Sequence, residues 1–248
     1  MIKLIEQPFK YGTKSEPPSL WASMGYTYGK CSRQLHYANK YGKISFMESE
    51  IDAMETGKDV HNTVETWFES QWPDASIDSE VKRSFVVEIN GQPFVIGAKA
   101  DLIAYWHPNL KHDHQKTLIE IKYLYGRKAY YQTLIEKLVF NDMRVMCFQY
   151  GNLGKSNFAN QLLIPLKADI NMAIVYAGRI ITSLYHMPPR FPNATYANPV
   201  CRSCMYREQC YSNLDLDIVG QHDAWNLYKV QSQPYIDAIR NIVAPNKA

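Results

Sequence analysis

The spacing of apolar residues along the chain predicts four helices. The clearest begins at Gly57, where apolar or aromatic side chains recur at positions 60, 64, 67 and 68, the i, i+4, i+7, i+8 pattern of a helix with one buried face. The other predicted helices span residues 20–41, 127–141 and 168–187, and the last of these is amphipathic.

Short β-rich runs lie between these helices. Two of them, residues 80–89 and 94–96, flank Asn90-Gly91, a pair that accepts positive φ and therefore predicts a tight hairpin. The second run continues through Ala104, and after a polar loop a short strand is expected over 117–124. Two further strands are predicted at 144–150 and 158–166, joined through Gly151 and Gly154. From Gly57 onward the resulting order is helix, three strands, helix, two strands, helix, which is an α/β arrangement.

Composition and charge are those of one globular domain. The 248 residues suffice for one sizeable core, and 46% hydrophobic with 21% charged residues is typical of a folded protein. The net charge of +3 permits a nucleic-acid partner without requiring one. The N-terminal apolar run is too short for a signal peptide, and Arg179 interrupts the best membrane candidate, residues 172–187. We therefore expect a cytoplasmic protein with no membrane contact.

Two charged residues project together from an otherwise apolar predicted strand. Period-2 alternation places Glu120 and Lys122 on one face while the isoleucines beside them point the other way. Asp101 lies in an apolar run of the preceding strand. Such charges are costly to bury unless a partner or a ligand compensates them.

Phosphodiester hydrolysis uses this set of groups. Carboxylates hold one or two Mg²⁺ or Mn²⁺ ions that clamp the phosphate and acidify a water, and a nearby cation offsets the developing charge. Asp101 and Glu120 would be the metal ligands, and Lys122 would orient or activate the water. The alternative from the residues alone is an ordinary ion pair on a strand, with Asp101 as a cap or turn residue.

Three of the five cysteines, Cys201, Cys204 and Cys210, lie within ten residues, and Cys31 is a plausible fourth ligand. In a reducing compartment such clustering indicates a metal before a disulfide. Four thiolates bind either tetrahedral Zn²⁺ or a [4Fe–4S] cluster, so ligand type leaves both open. Cys147, in an apolar strand, is interpreted as a buried small residue.

Taken together, these motifs resemble a known family. Gly57-x3-His61, Asp101, Glu120-Ile-Lys122 and one upstream plus three C-terminal cysteines resemble the RecB-like nucleases of the PD-(D/E)xK type with an iron–sulfur clasp. Among these the chain looks most like the CRISPR-associated exonuclease, the fourth numbered Cas family, and its stand-alone archaeal and viral relatives. The similarity covers about residues 29–211.

The resemblance implies a restriction-endonuclease-like core with a mixed central sheet flanked by helices, and a four-cysteine clasp that joins the N- and C-terminal segments. It makes Lys122 catalytic and implies these ligands of Mg²⁺ or Mn²⁺: His61, Asp101, Glu120 and the carbonyl of Ile121. It assigns the [4Fe–4S] cluster, with Zn²⁺ the less favoured occupant, to Cys31, Cys201, Cys204 and Cys210. The single domain 1–248 then comprises an N-terminal helical segment (1–56), a nuclease core (57–187), an iron–sulfur motif (188–211) and a C-terminal extension (212–248).

One departure from the family pattern concerns the helix after the lysine. The family has Gln-x3-Tyr there, whereas Gln132 is followed four residues later by Glu136. Gln132 is expected to contact the scissile strand, and Tyr130 or Tyr131 would take the place of the missing tyrosine. For the C-terminal extension, a helix packing on the core is favoured over an oligomer contact.

The function implied is a metal-dependent DNA exonuclease that prefers single strands and acts in the 5′ to 3′ direction. The expected partners are single-stranded DNA and proteins of CRISPR integration or recombination. The sequence leaves open whether the chain forms a homo-oligomer. A first alternative is a catalytically idle, metal-clasped nucleic-acid-binding or assembly protein of a DNA-integration or recombination complex. A second is a zinc-stapled structural protein that shares only the cysteines.

Overall fold

A computed structural model describes residues 18–41, 48–106, 116–122, 126–150, 162–189, 201, 204, 206, 210 and 221–243. The elements in chain order are β1 (Ser19–Trp21), α1 (Ala22–Lys30), α2 (Ser32–Tyr41), α3 (Glu48–Gln71), β2 (Ser76–Ile89), β3 (Gln92–Tyr105), β4 (Lys116–Lys122), α4 (Arg127–Val139), β5 (Arg144–Gln149), β6 (Leu162–Pro165), α5 (Ile170–Tyr185) and α6 (Gln221–Val243).

The six strands form one mixed sheet in the order β1-β3-β4-β5-β6, and β2 pairs with β3. Pairing is parallel for β1 with β3 and for β4 with β5, and antiparallel for the other neighbours. Asn90 and Gly91 have φ of 52° and 74°, and Ile89 pairs with Gln92 across the turn. The predicted hairpin is therefore confirmed, because both central residues adopt the left-handed backbone that this turn requires.

Helices cover both faces of the sheet. Leu118 of β4 belongs to a core that includes Leu134 of α4, whereas Ile119 lies in a second core with Val64 and Phe68 of α3. Since neighbouring residues of a strand point to opposite faces, α3 and α4 lie on opposite sides of β4. Glu120 and Lys122 share the face of Leu118 and so point toward α4.

The segment predicted as one helix over 20–41 is in fact a short strand followed by two helices. Cys31 separates α1 from α2, because its backbone is extended (φ −163°, ψ 117°) and its N–H is bonded to the Thr27 carbonyl. β1 was not predicted, since three residues are too few to show an alternating pattern. The predicted helix from Gly57 begins earlier, at Glu48, and residues 158–161 of the last predicted strand lie outside the described residues.

Two glycines allow α1 to pack closely on α4. A Cβ added at Gly25 would lie 2.6 Å from the Tyr131 carbonyl oxygen, and one at Gly29 would lie 2.8 Å from the Cα of Lys128. Both neighbours are backbone atoms, which cannot move aside as a flexible side chain can. This contact sets the position of α4 and, at the end of α1, of Cys31.

The C-terminal extension contains α6, which packs against α5. The Tyr228 hydroxyl donates to the Arg179 carbonyl and lies 3.2 Å from Ser183 Oγ, and the rings of Tyr185 and Tyr235 stack with centroids 6.1 Å apart. This is the packing favoured for that segment over an oligomer contact. Among the described residues, no helix is both long and apolar enough to cross a membrane.

Candidate functional site

The antiparallel pairing of β3 with β4 brings Asp101 and Glu120 together. Leu102 and Ile119 are paired across the two strands, and Asp101 Oδ2 accepts a hydrogen bond from the Ile121 amide at 2.8 Å. Asp101 is 8% exposed and Glu120 is fully buried. The two predicted carboxylates therefore lie side by side in the sheet, as their positions in adjacent strands require.

Lys122 forms an ion pair with Glu120. The ammonium contacts Glu120 Oε1, which fits the prediction that both side chains leave the strand on one face. Burial alone would lower the pKa of Lys122, but the charges of Glu120 and Asp101 outweigh it and raise the pKa above its ordinary value. The carboxylates around the lysine therefore favour its protonated form.

His61 reaches the same site from α3. Its Nδ1 lies 3.7 Å from Asp101 Oδ1, and its side chain is about one quarter exposed. This distance is longer than a hydrogen bond, yet it places the imidazole beside Asp101. The structure thus brings together His61, Asp101, Glu120 and Lys122, which are far apart in the sequence.

On the side of the site that faces α4 lies Glu136, a carboxylate for which the sequence predicts no role. The Gln132 amide donates to Glu120 Oε1 and, at 2.9 Å, to Glu136 Oε1. Glu136 is fully buried, and burial raises its pKa to about 7. Burial, followed by the charges of Asp101 and Glu136, also raises the pKa of Glu120 well above its ordinary value.

The second oxygens of these two buried glutamates, Glu120 Oε2 and Glu136 Oε2, have no hydrogen-bond donor among the described residues. The two carboxyl groups lie close enough to interact with each other. Leaving a buried acceptor unpaired costs about 1–3 kcal/mol. When ionised, Asp101, Glu120 and Glu136 carry three negative charges against the single positive charge of Lys122, so the group favours a further cation.

These residues have the chemistry that Mg²⁺ or Mn²⁺ requires, because both ions prefer carboxylate oxygens. Among the described residues, no group of three or more His, Cys, Asp or Glu side chains has the spacing of a formed metal site. The contact seen at Ile121 is made by its amide, and a ligand role for its carbonyl stays a prediction.

Tyr130 and Tyr131, considered as replacements for the missing tyrosine, have contacts elsewhere. The Tyr130 hydroxyl lies 2.9 Å from Met172 Sδ. The ring of Tyr131 packs edge-on against Tyr28, with centroids 5.2 Å apart. In these contacts both tyrosines belong to the packing of α4 against α1 and α5.

The four predicted cluster cysteines are all among the described residues, and each is partly exposed. Burial is the main reason that the pKa of Cys31 rises to about 11, and Cys204 and Cys210 raise it further because they lie close by. Arg33 Nη1 lies 3.8 Å from Cys210 Sγ. Cys31 is thus brought to the C-terminal cysteines, although a four-thiolate arrangement around one metal is not formed among the described residues.

The aromatic residues Tyr37 and Tyr206 pack beside these cysteines. Their rings stack with centroids 5.6 Å apart, and both are almost fully buried in a small core that Cys204 and Cys210 adjoin. Cys147, by contrast, is buried in β5 opposite Glu120, which agrees with its interpretation as a small core residue.

The architecture places the chain in the α/β class, with a mixed sheet between helices. The chain matches no protein-family model, and its sequence matches no curated protein. One solved structure similar to it is that of the archaeal protein SSO0001, with a TM-score of 0.49, 17% identity, and coverage of 81% of this chain and 89% of that chain. A likeness this distant carries no conclusion about activity.

Proposed function

We propose that this protein is a divalent-metal-dependent DNA nuclease of the RecB-like PD-(D/E)xK type. The observation that supports it best is the convergence of Asp101, Glu120 and Lys122 from two adjacent strands, with a buried oxygen of Glu120 that receives no hydrogen bond from the described residues. An ordinary surface ion pair would be exposed and would not need a second carboxylate beside it. A single-strand-preferring exonuclease that acts 5′ to 3′ is the activity that the family resemblance implies.

Most of the residues of this site would serve as ligands of the divalent cation in phosphodiester hydrolysis. Asp101 and Glu120 would hold Mg²⁺ or Mn²⁺, with His61 and the Ile121 carbonyl as further ligands. When bound, the cation supplies a polarised phosphate and a water of lowered pKa. The Ile121 amide donates a hydrogen bond to Asp101 Oδ2, which leaves Oδ1, at 3.7 Å from His61 Nδ1, for the cation.

Lys122 would act on the charge that develops at the phosphate. Its pKa is raised by Glu120 and Asp101 despite its burial, so it stays protonated at neutral pH. A fixed cation near the scissile phosphate orients the attacking water and lowers the energy of the more negative transition state.

The cysteines are proposed to hold a [4Fe–4S] cluster that fastens the fold. Cys31 follows α1, and Cys201, Cys204 and Cys210 follow the nuclease core, so one cluster would close a loop of most of the chain. The proximity of Cys31 to Cys204 and Cys210 supports this role. No redox step is required of it.

Degradation of labelled single-stranded DNA tests the proposal. Cleavage should require Mg²⁺ or Mn²⁺ and should be abolished in Glu120→Ala and Lys122→Ala, which are expected to keep the visible absorbance and the secondary structure of the wild type. Activity that persists in both variants would exclude this site as the catalytic centre.

A further inference from the structure

Glu136 is a buried carboxylate that the nuclease motifs do not assign. It lies on α4 one turn after Gln132, is fully buried, and stands where the resembling family has a tyrosine. A buried acid in a helix that otherwise faces the core with Thr133, Leu134 and Leu138 is expensive unless something compensates its charge.

The hydrogen bonds around Glu136 involve one carboxylate oxygen, Oε1, of each of Glu120 and Glu136, and leave the Oε2 atoms for another partner. Gln132 donates to the Oε1 atoms of both Glu120 and Glu136, and Lys122 pairs with Glu120 through Oε1 as well. Within the part of the chain that the structure describes, the Oε2 atoms of both glutamates are buried and receive no hydrogen bond from a donor. Gln132 therefore holds two carboxylates side by side, with one oxygen of each available to a ligand.

The charges of the group match one divalent cation. When a bound cation displaces the protons of the two glutamates, the three carboxylates of Asp101, Glu120 and Glu136 and the ammonium of Lys122 sum to two negative charges in a buried site. Hard divalent cations take several oxygen ligands and are held most strongly by carboxylates. The group that these oxygens would bind is therefore Mg²⁺ or Mn²⁺ rather than an organic molecule.

We propose that Glu136 is an additional ligand of the divalent cation, which it would bind through Oε2 together with Glu120. The proposal rests on the proposed function for the existence of the cation site, and it adds a carboxylate from α4 to those of β3 and β4. Gln132 would then be a positioning residue, because its amide occupies both Oε1 atoms and leaves both Oε2 atoms for the cation.

Titration of the purified protein with Mn²⁺ by isothermal calorimetry tests this assignment without any use of catalysis. The variant Glu136→Gln keeps the shape and the acceptor oxygen that Gln132 contacts, but removes the negative charge. We expect its Kd for Mn²⁺ to rise at least about 10-fold, because even the loss of a residue that only supports a metal ligand weakens binding by about 10- to 100-fold. Glu120→Gln should weaken binding at least as much.

Glu65→Gln is the matched control. Glu65 is a partly buried carboxylate on α3, close enough to Asp101 for the two charges to interact. It does not contact Gln132 in the described structure. Its removal should change the Kd less than about threefold, since long-range charge is weaker than direct ligation. Equal effects of Glu65→Gln and Glu136→Gln would show that only net charge matters and would overturn the proposal.

The remaining outcomes are also decisive. Wild-type affinity in Glu136→Gln, or no Mn²⁺ binding by the wild type, would refute the ligand role. Should Glu136→Gln not fold, the same titration of Glu136→Ala replaces it, with the same expected loss. Separately, Mn²⁺ binding that needs Glu136 in a protein unable to cleave DNA would contradict the nuclease function while leaving this inference intact.

Discussion

In the cation-free protein, the ionisation of Glu136 should lower the free energy of unfolding as the pH rises. Glu136→Gln should remove this contribution to the pH dependence. Burial raises the pKa of Glu136 from 4.5 to about 7, so the folded protein keeps a proton that the unfolded chain releases. The favourable contribution is complete below about pH 4.5 and is lost as the pH rises through about 7. One pKa unit corresponds to about 1.4 kcal/mol, so the full loss is about 3 kcal/mol.

Most of that loss falls in an accessible pH range. For these two pKa values, the free energy of unfolding should fall by about 2 kcal/mol between about pH 5.5 and pH 8 through Glu136 alone. Glu120 adds to the fall in the same direction, because its pKa is raised too and the Glu136 charge is one of the causes. Gln at position 136 removes the first contribution and reduces the second.

The assay is urea unfolding followed by circular dichroism in the presence of a chelator of divalent cations, at several pH values across that range. Glu88→Gln, which changes an exposed carboxylate on β2, is the control and should keep the wild-type pH dependence. If wild type and Glu136→Gln show parallel curves of stability against pH, Glu136 is not a buried acid of raised pKa and the reasoning fails.

Three further predictions concern packing and the cysteines. Gly25→Ala places a Cβ 2.6 Å from the Tyr131 carbonyl oxygen, so we expect it to force α1 from α4 and to cost about 1–3 kcal/mol in urea unfolding; unchanged stability would contradict this packing. Tyr228→Phe removes the hydrogen bond to a backbone carbonyl of α5 and should cost about 1 kcal/mol in the same assay, whereas no loss would mean that water replaces the bond. Anaerobically purified Cys204→Ser should lose the brown iron–sulfur absorbance while Cys147→Ser keeps it, and a colourless wild type containing zinc would favour the zinc alternative.

The parts of the fold that could be predicted are those with a strong local pattern. The Asn90-Gly91 hairpin follows from the backbone preference of two residues, and the closeness of Asp101 to Glu120 follows from their positions in adjacent strands. The break at Cys31 could not be predicted, because the close contact of Gly25 and Gly29 with α4 is a tertiary feature. A helix that continued through Cys31 would show the same local spacing of apolar residues.

Glu136 was missed as part of the site for a related reason. A glutamate in a helix is usually on the solvent face, and only the position of β4 against α4 makes this one buried. The available signal was its i+4 spacing from Gln132, which places both side chains on one face of the helix. The family pattern predicts a tyrosine at this position and assigns no role to a carboxylate there.

The central claim is that Lys122 acts with Asp101 and Glu120 in metal-dependent DNA cleavage, and single-turnover degradation of 5′-labelled single-stranded DNA tests it most directly. Lys122→Ala should abolish Mn²⁺-supported cleavage, while Lys116→Ala, which removes a lysine at the exposed start of the same strand, should leave the rate unchanged. Cleavage by Lys122→Ala at the wild-type rate would contradict the account. DNA binding by the wild type without cleavage in Mg²⁺ or Mn²⁺ would contradict it too, and would favour a catalytically idle nucleic-acid-binding protein.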